Sequence, residues 1–342
     1  MEAIILAGGF GTRLRPLTYT RAKALLPILN KPMVSYLIDS LPNEVDKVIL
    51  AVNYRKDQIE KYFKTNDFGR EIIVNDEPEP LGTGGAVKFA EKHITGPFFV
   101  LNADVICSLS LNDMIAFHKK NKAVSTISLW PVENVSEFGV VDIQEGGNVT
   151  GFVEKPKPED APSDLINAGA YFLEPEVLDY IETGHLISME KEIFPQIIKD
   201  TGRFFGFEFK GYWIDVGRIR SYLDVHDFLM RHQNIANFKG ENCKVYGELT
   251  NSSIGDNVSI GKDSRIISSI VFDNVKIGKN VVITNCVLGE NCEISDHSNL
   301  TDVVVGDNEQ IQKETTLDNQ LIWTQSIPDG YPKKQIGNVI GE

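Results

Sequence analysis

Short apolar runs alternate with stretches of helical periodicity over the first 230 residues. Eight runs rich in β-branched and aromatic residues predict strands at 3–7, 47–53, 71–75, 97–102, 124–130, 148–154, 168–173 and 204–209. Apolar residues also recur at the spacing of one helix face in two stripes: Val34, Leu37, Ile38 and Leu41, then Ile193, Ile197 and Ile198. This alternation predicts an α/β fold with a doubly wound, mostly parallel sheet, which binds its ligands beyond the carboxyl ends of the strands.

After about residue 240 the pattern changes to a period of six residues. An aliphatic residue begins each unit, a small residue tends to stand four positions later, and Gly or Asn occupies the corners; units begin at Ile254, Ile260, Ile277, Leu288 and Ile294. The phase slips by one residue near Val287 and Val305. This step is typical of a parallel β-helix, which at about 18 residues per turn would make roughly four turns.

The change of period divides the chain into three predicted parts. Residues 1–235 form the α/β domain, residues 241–318 form the β-helix, and residues 319–342 form a tail. The tail carries Trp323, Pro328, Tyr331 and Pro332, and we expect it to cap the open end because solenoids need atypical terminal units.

Composition narrows the classes of partner. The chain has 342 residues, of which 34 are Lys or Arg and 48 are Asp or Glu, giving a net charge of −14. This charge disfavours nucleic acid and anionic membranes as partners, because both bind clustered cations. Four scattered cysteines indicate neither a disulfide scaffold nor a zinc knuckle, and no apolar stretch is long enough to span a membrane. We expect a cytoplasmic protein that binds small molecules.

A glycine-rich loop directly follows the first predicted strand. The run from Leu6 to Thr18 reads Leu-Ala-Gly-Gly-Phe-Gly-Thr-Arg-Leu-Arg-Pro-Leu-Thr, with glycines at 8, 9 and 11. Glycines let the backbone approach a ligand closely, and exposed amides can hold phosphate oxygens. The spacing matches neither the dinucleotide fingerprint nor the P-loop. Arg13, Arg15 and Lys23 follow within this acidic chain, so the sequence predicts an anion site, although a tight strand-to-helix turn is the simpler alternative.

Two aspartates stand where such a fold binds ligands. Asp104 follows the strand predicted to end at residue 102, and Asp215 lies in the run Tyr-Trp-Ile-Asp-Val-Gly that ends at Gly217. Two carboxylates together with substrate phosphates are a usual way of holding Mg²⁺. Each aspartate alone could equally be a helix cap.

Seven segments together resemble the sugar-1-phosphate nucleotidyltransferase family. They are residues 6–18, the segment around Lys23, and residues 80–86, 137–141, 152–156, 167–169 and 213–217, in the family's order. The resemblance implies a Rossmann-like nucleotidyltransferase domain, and the hexapeptide repeats resemble the left-handed β-helix that many members carry. It also implies transfer of a nucleoside monophosphate from a nucleoside triphosphate to a sugar-1-phosphate, with Mg²⁺ as cofactor and a homo-oligomer formed through the β-helix.

The resemblance also implies roles for individual residues. The nucleoside triphosphate would be held by the loop residues Leu6, Ala7, Gly8, Gly9, Gly11, Thr12 and Arg13, by Lys23, and by Gly82 and Thr83 along the nucleoside. The metal would be held by Asp104 and Asp215. The sugar phosphate would be held by Lys155 at its phosphate, with Gly139, Glu154 and Asn167 at the sugar. The implied catalytic set is Arg13, Lys23, Asp104, Lys155 and Asp215.

Glu77 bears on which base is bound. It stands five residues before Gly82, where members that bind uracil or thymine tend to carry Gln. Guanine presents two adjacent donors that an ionised carboxylate accepts together, so Glu77 favours GTP. The alternative is a solvated residue of the acidic loop 76–79. Residues 101–107, 167–169 and 190–195 also resemble the mannose-1-phosphate guanylyltransferases, whereas Ala103 and Phe138 depart from common family residues.

Three other functions remain open at the level of sequence. A thymidylyl- or uridylyltransferase acting on glucose-1-phosphate would share most of these motifs. A bifunctional nucleotidyltransferase and acyltransferase would need a histidine base on the β-helix, where His297 is the only candidate. A regulatory homologue that binds nucleotide sugar without catalysis would lose motif residues such as Arg13 or Asp104, and both are present. Cys286 and Cys292 are expected to be buried packing residues.

Overall fold

The computed structural model describes residues 1–332. Within that range the α-helices are α1 Leu17–Thr20, α2 Met33–Ser40, α3 Lys56–Thr65, α4 Gly82–Phe89, α5 Leu111–Asn121, α6 Phe194–Thr201 and α7 Ile219–His232. The strands before α7 are β1 Glu2–Leu6, β2 Pro27–Ile28, β3 Lys31–Pro32, β4 Lys47–Val52, β5 Glu71–Asp76, β6 Phe98–Asn102, β7 Val105–Cys107, β8 Ser125–Pro131, β9 Gly139–Ile143, β10 Val149–Glu154, β11 Leu165–Leu173, β12 Phe204–Glu208 and β13 Trp213–Asp215.

Short strands make up the rest of the described chain. They are β14 Phe238–Lys239, β15 Lys244–Val245, β16 Glu248–Thr250, β17 Ser253–Ile254, β18 Ser259–Ile260, β19 Arg265–Ile267, β20 Ile270–Val271, β21 Lys276–Ile277, β22 Val282–Thr284, β23 Val287–Leu288, β24 Glu293–Ile294, β25 Asn299–Val305, β26 Gln310–Ile311 and β27 Thr316–Ile322. The chain forms two compact units. The first holds Met1–Gly9 and Tyr36–Ile214, and the second holds Phe10–Ser35 and the chain from Asp215 onward.

The first unit is built on one mixed sheet with the strand order β10-β9-β11-β6-β1-β4-β5, to which β8 and β12 are added beside β11. Strands β6, β1, β4 and β5 are parallel, so the fold-class prediction is confirmed there. Strand β11 pairs antiparallel with β6, β8 and β9, and β9 with β10. The sequence interpretation did not anticipate these pairs. The turn at Gly146 and Gly147, both at positive φ, is short enough to join β9 and β10 only as a hairpin.

The core of this unit explains its apolar runs. Strands β1, β4 and β6 are buried on both faces, which is why they read as continuous apolar segments rather than alternating ones. Helix α6 packs Phe194 and Ile197 into the same cluster as Phe98 and Phe204, and Gly202 in the left-handed conformation ends it. The sheet therefore forms a rigid support for the loops at its carboxyl edge.

The second unit contains a parallel β-helix whose coils are 17 residues long. Ile254 pairs with Val271, Val271's strand with Leu288's, and Ile260 with Ile277, each 17 positions on (271 − 254 = 17). The six-residue step is thus taken twice per coil and a five-residue step once. This shorter step produces the phase slips seen in the sequence, and the expected length of 18 residues per turn is wrong by one. The parallel coils are consistent with the left-handed β-helix that hexapeptide repeats form.

Corner residues let the chain turn between the faces of the β-helix. Twelve non-glycine residues from Asn251 to Glu314 have positive φ, and most are Asn or Asp, the types that tolerate this conformation best. His297 is one of them: it is exposed, and its backbone N–H donates to the Lys279 carbonyl. Cys286 and Cys292 are free, buried thiols, and burial raises the pKa of each to about 12. The prediction that they are packing residues is confirmed.

Within the second unit, the early segment Phe10–Ser35 lies against α7 and the β-helix. Tyr222 and His226 of α7 both donate to the Pro27 carbonyl, His226 at 3.1 Å. Burial lowers the pKa of His226 to about 3, so its ring is neutral and serves as a structural donor. Arg21 pairs with Glu290 at 2.5 Å, and Thr20 donates to Asp307 at 2.6 Å. A sequence segment far from the repeats is thereby fixed to them.

The end of the described chain continues the β-helix before leaving it. Strand β27 runs to Ile322, whereas the sequence ends the repeats at residue 318. Buried Glu309 accepts hydrogen bonds from the backbone and hydroxyl of Thr324, which fixes the chain that follows. The described part of the predicted tail thus packs along the β-helix, and its remainder, residues 333–342, lies outside the described residues.

Candidate active site

In the first unit, the glycine loop leaves the carboxyl end of the central strand. Strand β1 ends at Leu6, beside the end of β6 at Asn102. An added Cβ at Gly8 would meet the Asn53 backbone at 3.5 Å, whereas one at Gly9 would meet nothing within 4 Å. The backbone at Gly9 is exposed, as a loop that receives a ligand must be.

Asp104 lies at the same edge of the sheet. It follows β6 by two residues and directly precedes β7, and the Ala103 amide donates to the Leu6 carbonyl at 3.2 Å. This bond ties the Asp104 segment to the start of the glycine loop. The half-exposed carboxylate therefore stands at the edge where parallel sheets bind ligands, as the sequence predicted.

Glu77 is buried, so the alternative of a solvated loop residue is wrong. Its side chain is 6% exposed, and Oε2 accepts a long hydrogen bond of 3.4 Å from the Leu81 amide. Burial raises its pKa to about 7, and nearby Asp76 adds to the rise. A carboxylate that is desolvated and poorly supplied with donors favours a ligand that brings donors of its own.

The glycines of residues 82–85 pack against protein. A Cβ at Gly82 would stand 2.5 Å from the Ile187 carbonyl oxygen, and one at Gly85 would stand 2.6 Å from the His185 carbonyl oxygen. The Ile187 carbonyl also accepts the Gly84 amide at 2.8 Å. These glycines let the first turn of α4 approach residues 185–187. Close packing, which the sequence interpretation did not consider, accounts for this part of the motif.

Predicted sugar-phosphate residues meet at the β9–β10 hairpin. A Cβ at Gly139 would come within 2.8 Å of a Glu154 carboxylate oxygen, so glycine makes room for that side chain. Lys155 Nζ lies 3.8 Å from Glu154 Oε1, and its side chain is 62% exposed. The pKa of Glu154 is raised by burial and by Glu190, against the opposing effect of Lys155. The structure thus brings Gly139, Glu154 and Lys155 together and leaves the ammonium group accessible.

A hydrogen-bonded network centred on Glu190 extends from this corner. Glu190 accepts from Tyr171 at 3.2 Å, from Thr83 at 2.7 Å and from Ser188 at 2.8 Å. Asn167 joins it by donating to the Tyr171 hydroxyl at 2.8 Å. The Thr83 hydroxyl also accepts from the Met189 amide at 2.9 Å, so its predicted place along the nucleoside rests on its backbone and methyl group.

Glu190 and Tyr171 received no role from the sequence. Residues 190–195 were used only as a resemblance to one branch of the family, and Tyr171 was read as an ordinary strand residue. A usable signal is the backbone: Met189–Ile193 forms a π-helical turn, a feature often found at functional sites. Sequence periodicity does not reveal such a turn.

In the second unit, Arg13 and Asp215 stand beside a glycine. A Cβ at Gly217 would lie 2.9 Å from Arg13 Nη2 and 3.1 Å from an Asp215 carboxylate oxygen. Gly11 has φ of 63° and faces Thr18 and Lys23, whose Cβ would be 3.2 Å from an added methyl group. The structure therefore brings Arg13 near Asp215 and Lys23 near the glycine loop.

Arg15 differs from the other two cations of this segment. It is 6% exposed, its guanidinium stacks over the Tyr331 ring at 4.9 Å, and Nη2 donates to the Pro332 carbonyl at 2.9 Å. The sequence grouped Arg15 with the phosphate-binding cations, whereas its contacts are with the C-terminal segment. Its conjugated, planar group explains the preference for an aromatic partner.

Two searches of residues 1–332 bear on metals and membranes. No group of three or more His, Cys, Asp or Glu side chains could hold a metal ion there. Within the same residues, no helix has the length and apolarity to cross a membrane. A Mg²⁺ site made from two carboxylates and substrate phosphates is a different arrangement, because phosphate oxygens complete it.

Comparison with family models decides what kind of protein carries these features. The model described as Nucleotidyl transferase matches residues 2–232, about two thirds of the chain. The chain belongs to the nucleotidyl transferase family. A second model, described as GMPPB C-terminal domain, matches residues 240–335 of this nucleotidyl transferase. The two matches adjoin where the sequence changes to a period of six.

Curated relatives of this nucleotidyl transferase carry one activity in their names. Mannose-1-phosphate guanyltransferase beta-B of Xenopus laevis is 42% identical over 230 residues, covering 65% of this chain and 63% of that protein. Mannose-1-phosphate guanyltransferase of Saccharomyces cerevisiae is 42% identical over 233 residues with the same coverage. Each match therefore spans somewhat less than two thirds of the relative.

Solved structures support the same fold. HddC from Yersinia pseudotuberculosis, crystallised with GMP-PN, is 31% identical with a TM-score of 0.56 over 67% of this nucleotidyl transferase and 99% of that chain. A UDP-glucose pyrophosphorylase complexed with UDP-glucose is 25% identical with a TM-score of 0.62 over 68% of this chain and 98% of that one. The two named nucleotides differ in base, so fold similarity alone leaves the base open.

Proposed function

We propose that this nucleotidyl transferase transfers GMP from GTP to mannose-1-phosphate, giving GDP-mannose and pyrophosphate. The burial of Glu77 carries the choice of GTP, because a desolvated carboxylate with a pKa near 7 gains most from a base that offers two adjacent donors. Guanine offers N1–H and the 2-amino group, whereas uracil and thymine offer a single donor between two acceptors. The names of the curated relatives support the same choice.

The reaction asks mainly for alignment of two anions. The sugar phosphate is already ionised at neutral pH, so its oxygen attacks the α-phosphorus without a general base, and pyrophosphate leaves in line. In this proposal the backbone at Gly9 and Gly11 holds the triphosphate, and Arg13 and Lys23 neutralise charge on the phosphates. Lys155 holds the phosphate of the sugar phosphate. Its accessible ammonium group fits that role.

The residues also fit Mg²⁺ as the cofactor. Gly217 leaves space beside the Asp215 carboxylate and Arg13 that a Cβ would fill, and Asp104 stands half-exposed at the sheet edge. We propose that Asp104 and Asp215 hold the ion. When bound, Mg²⁺ supplies positive charge to the α-phosphate and the leaving pyrophosphate.

On the sugar side, we propose that Glu154 and Asn167 bind hydroxyl groups of mannose. Asn167 donates to Tyr171, and Glu190 accepts from Tyr171, so the network fixes the rotamers of the residues that face the sugar. Gly139 allows Glu154 to lie against the hairpin. The proposed assembly is a homo-oligomer formed through the β-helix, acting in the cytoplasm on small molecules and not on nucleic acid or membranes.

A substrate matrix tests the proposal directly. Purified protein with Mg²⁺ is given GTP, UTP, dTTP or ATP against mannose-, glucose- or N-acetylglucosamine-1-phosphate, and pyrophosphate release is measured. GTP with mannose-1-phosphate should have the highest kcat/KM. A higher value for UTP or dTTP with glucose-1-phosphate would favour the alternative transferases. Turnover with no pair, in a folded protein, would favour the regulatory homologue.

A further inference from the structure

The C-terminal segment, residues 323–332, is packed against the glycine loop within the second unit. Tyr331 is 3% exposed, and its ring makes edge contacts with Phe10 at 5.7 Å and Tyr19 at 4.9 Å between centroids. Trp323 lies 5.1 Å from Tyr19. With the stacking of Arg15 over Tyr331, these contacts form an aromatic cluster, here called the tail cluster. It joins the last described residues to a loop more than 300 positions earlier.

Polar contacts of the tail cluster reach the loop backbone itself. The Tyr331 hydroxyl donates to the Phe10 carbonyl at 3.1 Å and lies 2.9 Å from the Thr18 hydroxyl. Thr18 in turn donates to the Gly11 carbonyl at 2.9 Å. Two side-chain hydroxyls thus hold the carbonyl groups of two consecutive peptides of the loop.

Fixing these carbonyls also fixes the amides that follow them. In a planar trans peptide the C=O group and the next N–H point in opposite directions. With the Phe10 and Gly11 carbonyls turned toward Tyr331 and Thr18, the Gly11 and Thr12 amides are turned away from the tail cluster. These are two of the amides that the proposed function assigns to the triphosphate.

Gly11 makes this arrangement possible and also makes it need support. Its φ of 63° and ψ of 40° place it in the left-handed region, and a Cβ there would stand 2.8 Å from Thr18 Cγ2. Glycine reaches many backbone conformations, so a glycine loop without external contacts would lose entropy when it closes on a ligand. Contacts to the tail cluster meet part of that cost in advance.

We infer that Tyr331 is a positioning residue for nucleotide binding: the tail cluster holds the glycine loop in the conformation whose amides receive the triphosphate. The inference rests on the proposed function for the identity of the nucleotide. Its structural content is independent of which base is bound, because the triphosphate is common to all candidates. Tyr331 touches neither reactant and acts through Phe10 and Thr18.

The test compares Tyr331→Phe with the wild type in the full-length protein. The variant keeps the ring and removes the hydroxyl, so it should raise KM for the nucleotide about three- to tenfold, as loss of one hydrogen bond does. KM for the sugar phosphate should stay within about twofold, since its proposed ligands lie on other elements. The control is Tyr246→Phe, which removes the same hydroxyl from a β-helix tyrosine that is 67% exposed.

A second measurement needs no nucleotide and separates this inference from the choice of GTP. Hydrogen–deuterium exchange of a peptide covering residues 8–14 should be faster in Tyr331→Phe than in the wild type and the control. If another triphosphate proves to be the substrate, the GTP proposal fails and the KM comparison is made with that triphosphate. Unchanged exchange, or unchanged nucleotide KM despite faster exchange, would overturn the positioning role.

A third variant measures the whole contribution of the segment. A chain ending at Ile322 keeps β27 and lacks the tail cluster, and its nucleotide KM should exceed that of Tyr331→Phe. A rise in both KM values together with a large fall in melting temperature would point to general unfolding and count against a specific role. If this truncation does not fold, Thr18→Val takes its place, and its effect should be less than multiplicative with that of Tyr331→Phe because the two hydroxyls share one network.

Discussion

The β-helix and the first unit use glycine for opposite purposes. In the β-helix, a Cβ at Gly261 would stand 2.4 Å from the Gly278 carbonyl oxygen of the next coil, so glycine there serves close stacking. In the first unit, Gly9 has nothing within 4 Å, so glycine there leaves room for a ligand. Identical residues in one chain thus answer to packing in one region and to binding in the other. Proximity around a glycine, and not its presence in a motif, distinguishes the two.

The largest expected effect is the loss of a proposed metal ligand. Asp215→Asn should lower kcat by about a thousandfold, because several kcal/mol of charge stabilisation in the transition state are lost. Melting temperature should change little, since the side chain is partly exposed. The matched control is Asp273→Asn on the β-helix, whose amide oxygen can still accept the Asp256 amide. Retention of more than a tenth of the wild-type kcat by Asp215→Asn would remove Asp215 from the proposed site.

Two glycine-to-alanine changes test the contrast itself. Gly217→Ala would press on the flexible ends of Arg13 and Asp215, which can move, so it should cost activity of about a hundredfold and little stability. Gly261→Ala would press on a backbone carbonyl, which cannot easily move, so it should cost about 1–3 kcal/mol of stability and little activity. Steady-state kinetics and thermal melting of both variants measure the two effects. The reversed pattern would refute the division between binding and packing glycines.

Lys155→Ala isolates one charge of the first unit. Loss of a charged hydrogen bond to phosphate should raise KM for mannose-1-phosphate about ten- to a hundredfold. KM for GTP should change much less. Lys157→Ala, two residues away and also exposed, provides the control for general charge. Equal rises in both KM values would indicate that Lys155 does not discriminate between the substrates.

The smallest expected effect concerns the protonation of Glu77. Its pKa of about 7 means that the carboxylate ionises between pH 6 and 8, so KM for GTP should fall up to about tenfold across that range as the accepting form appears. In Glu77→Gln this dependence should be absent. A wild-type KM for GTP that is flat with pH would separate Glu77 from guanine binding.

The same group affects stability with a defined sign. A raised carboxyl pKa favours the protonated folded state, so the stability present below the unfolded value near 4.5 is lost as pH rises through about 7. Glu77→Gln should therefore gain melting temperature relative to the wild type at pH 8 and show little difference at pH 4. Thermal melting at both values checks the sign.

Periodic features were the ones that could be predicted from sequence. Strands such as β1 and β4 and the aliphatic starts at Ile254 and Ile260 follow from local patterns that repeat. The five-residue step of each coil was visible as a phase slip near Val287 but was not interpreted. Local patterns carry such features because each element buries one face at a fixed period.

Features that depend on distant contacts could not be predicted in this way. Burial of Glu77, the approach of Gly85 to His185 and the stacking of Arg15 on Tyr331 each join residues that are not linked by any period. Strand β11 likewise pairs antiparallel because of where the chain returns, not because of its composition. Site residues belong mostly to this second group, so their types were recognisable before their surroundings.

The contact between Thr18 and Tyr331 also has a consequence for the timing of synthesis. The two hydroxyls are separated by 313 positions in the chain. At about 5–20 residues per second, a ribosome needs roughly 15–60 s to add the second residue after the first. During that interval the glycine loop exists without its C-terminal contacts. Completion of this loop therefore coincides with the end of translation, so only nearly full-length chains acquire it.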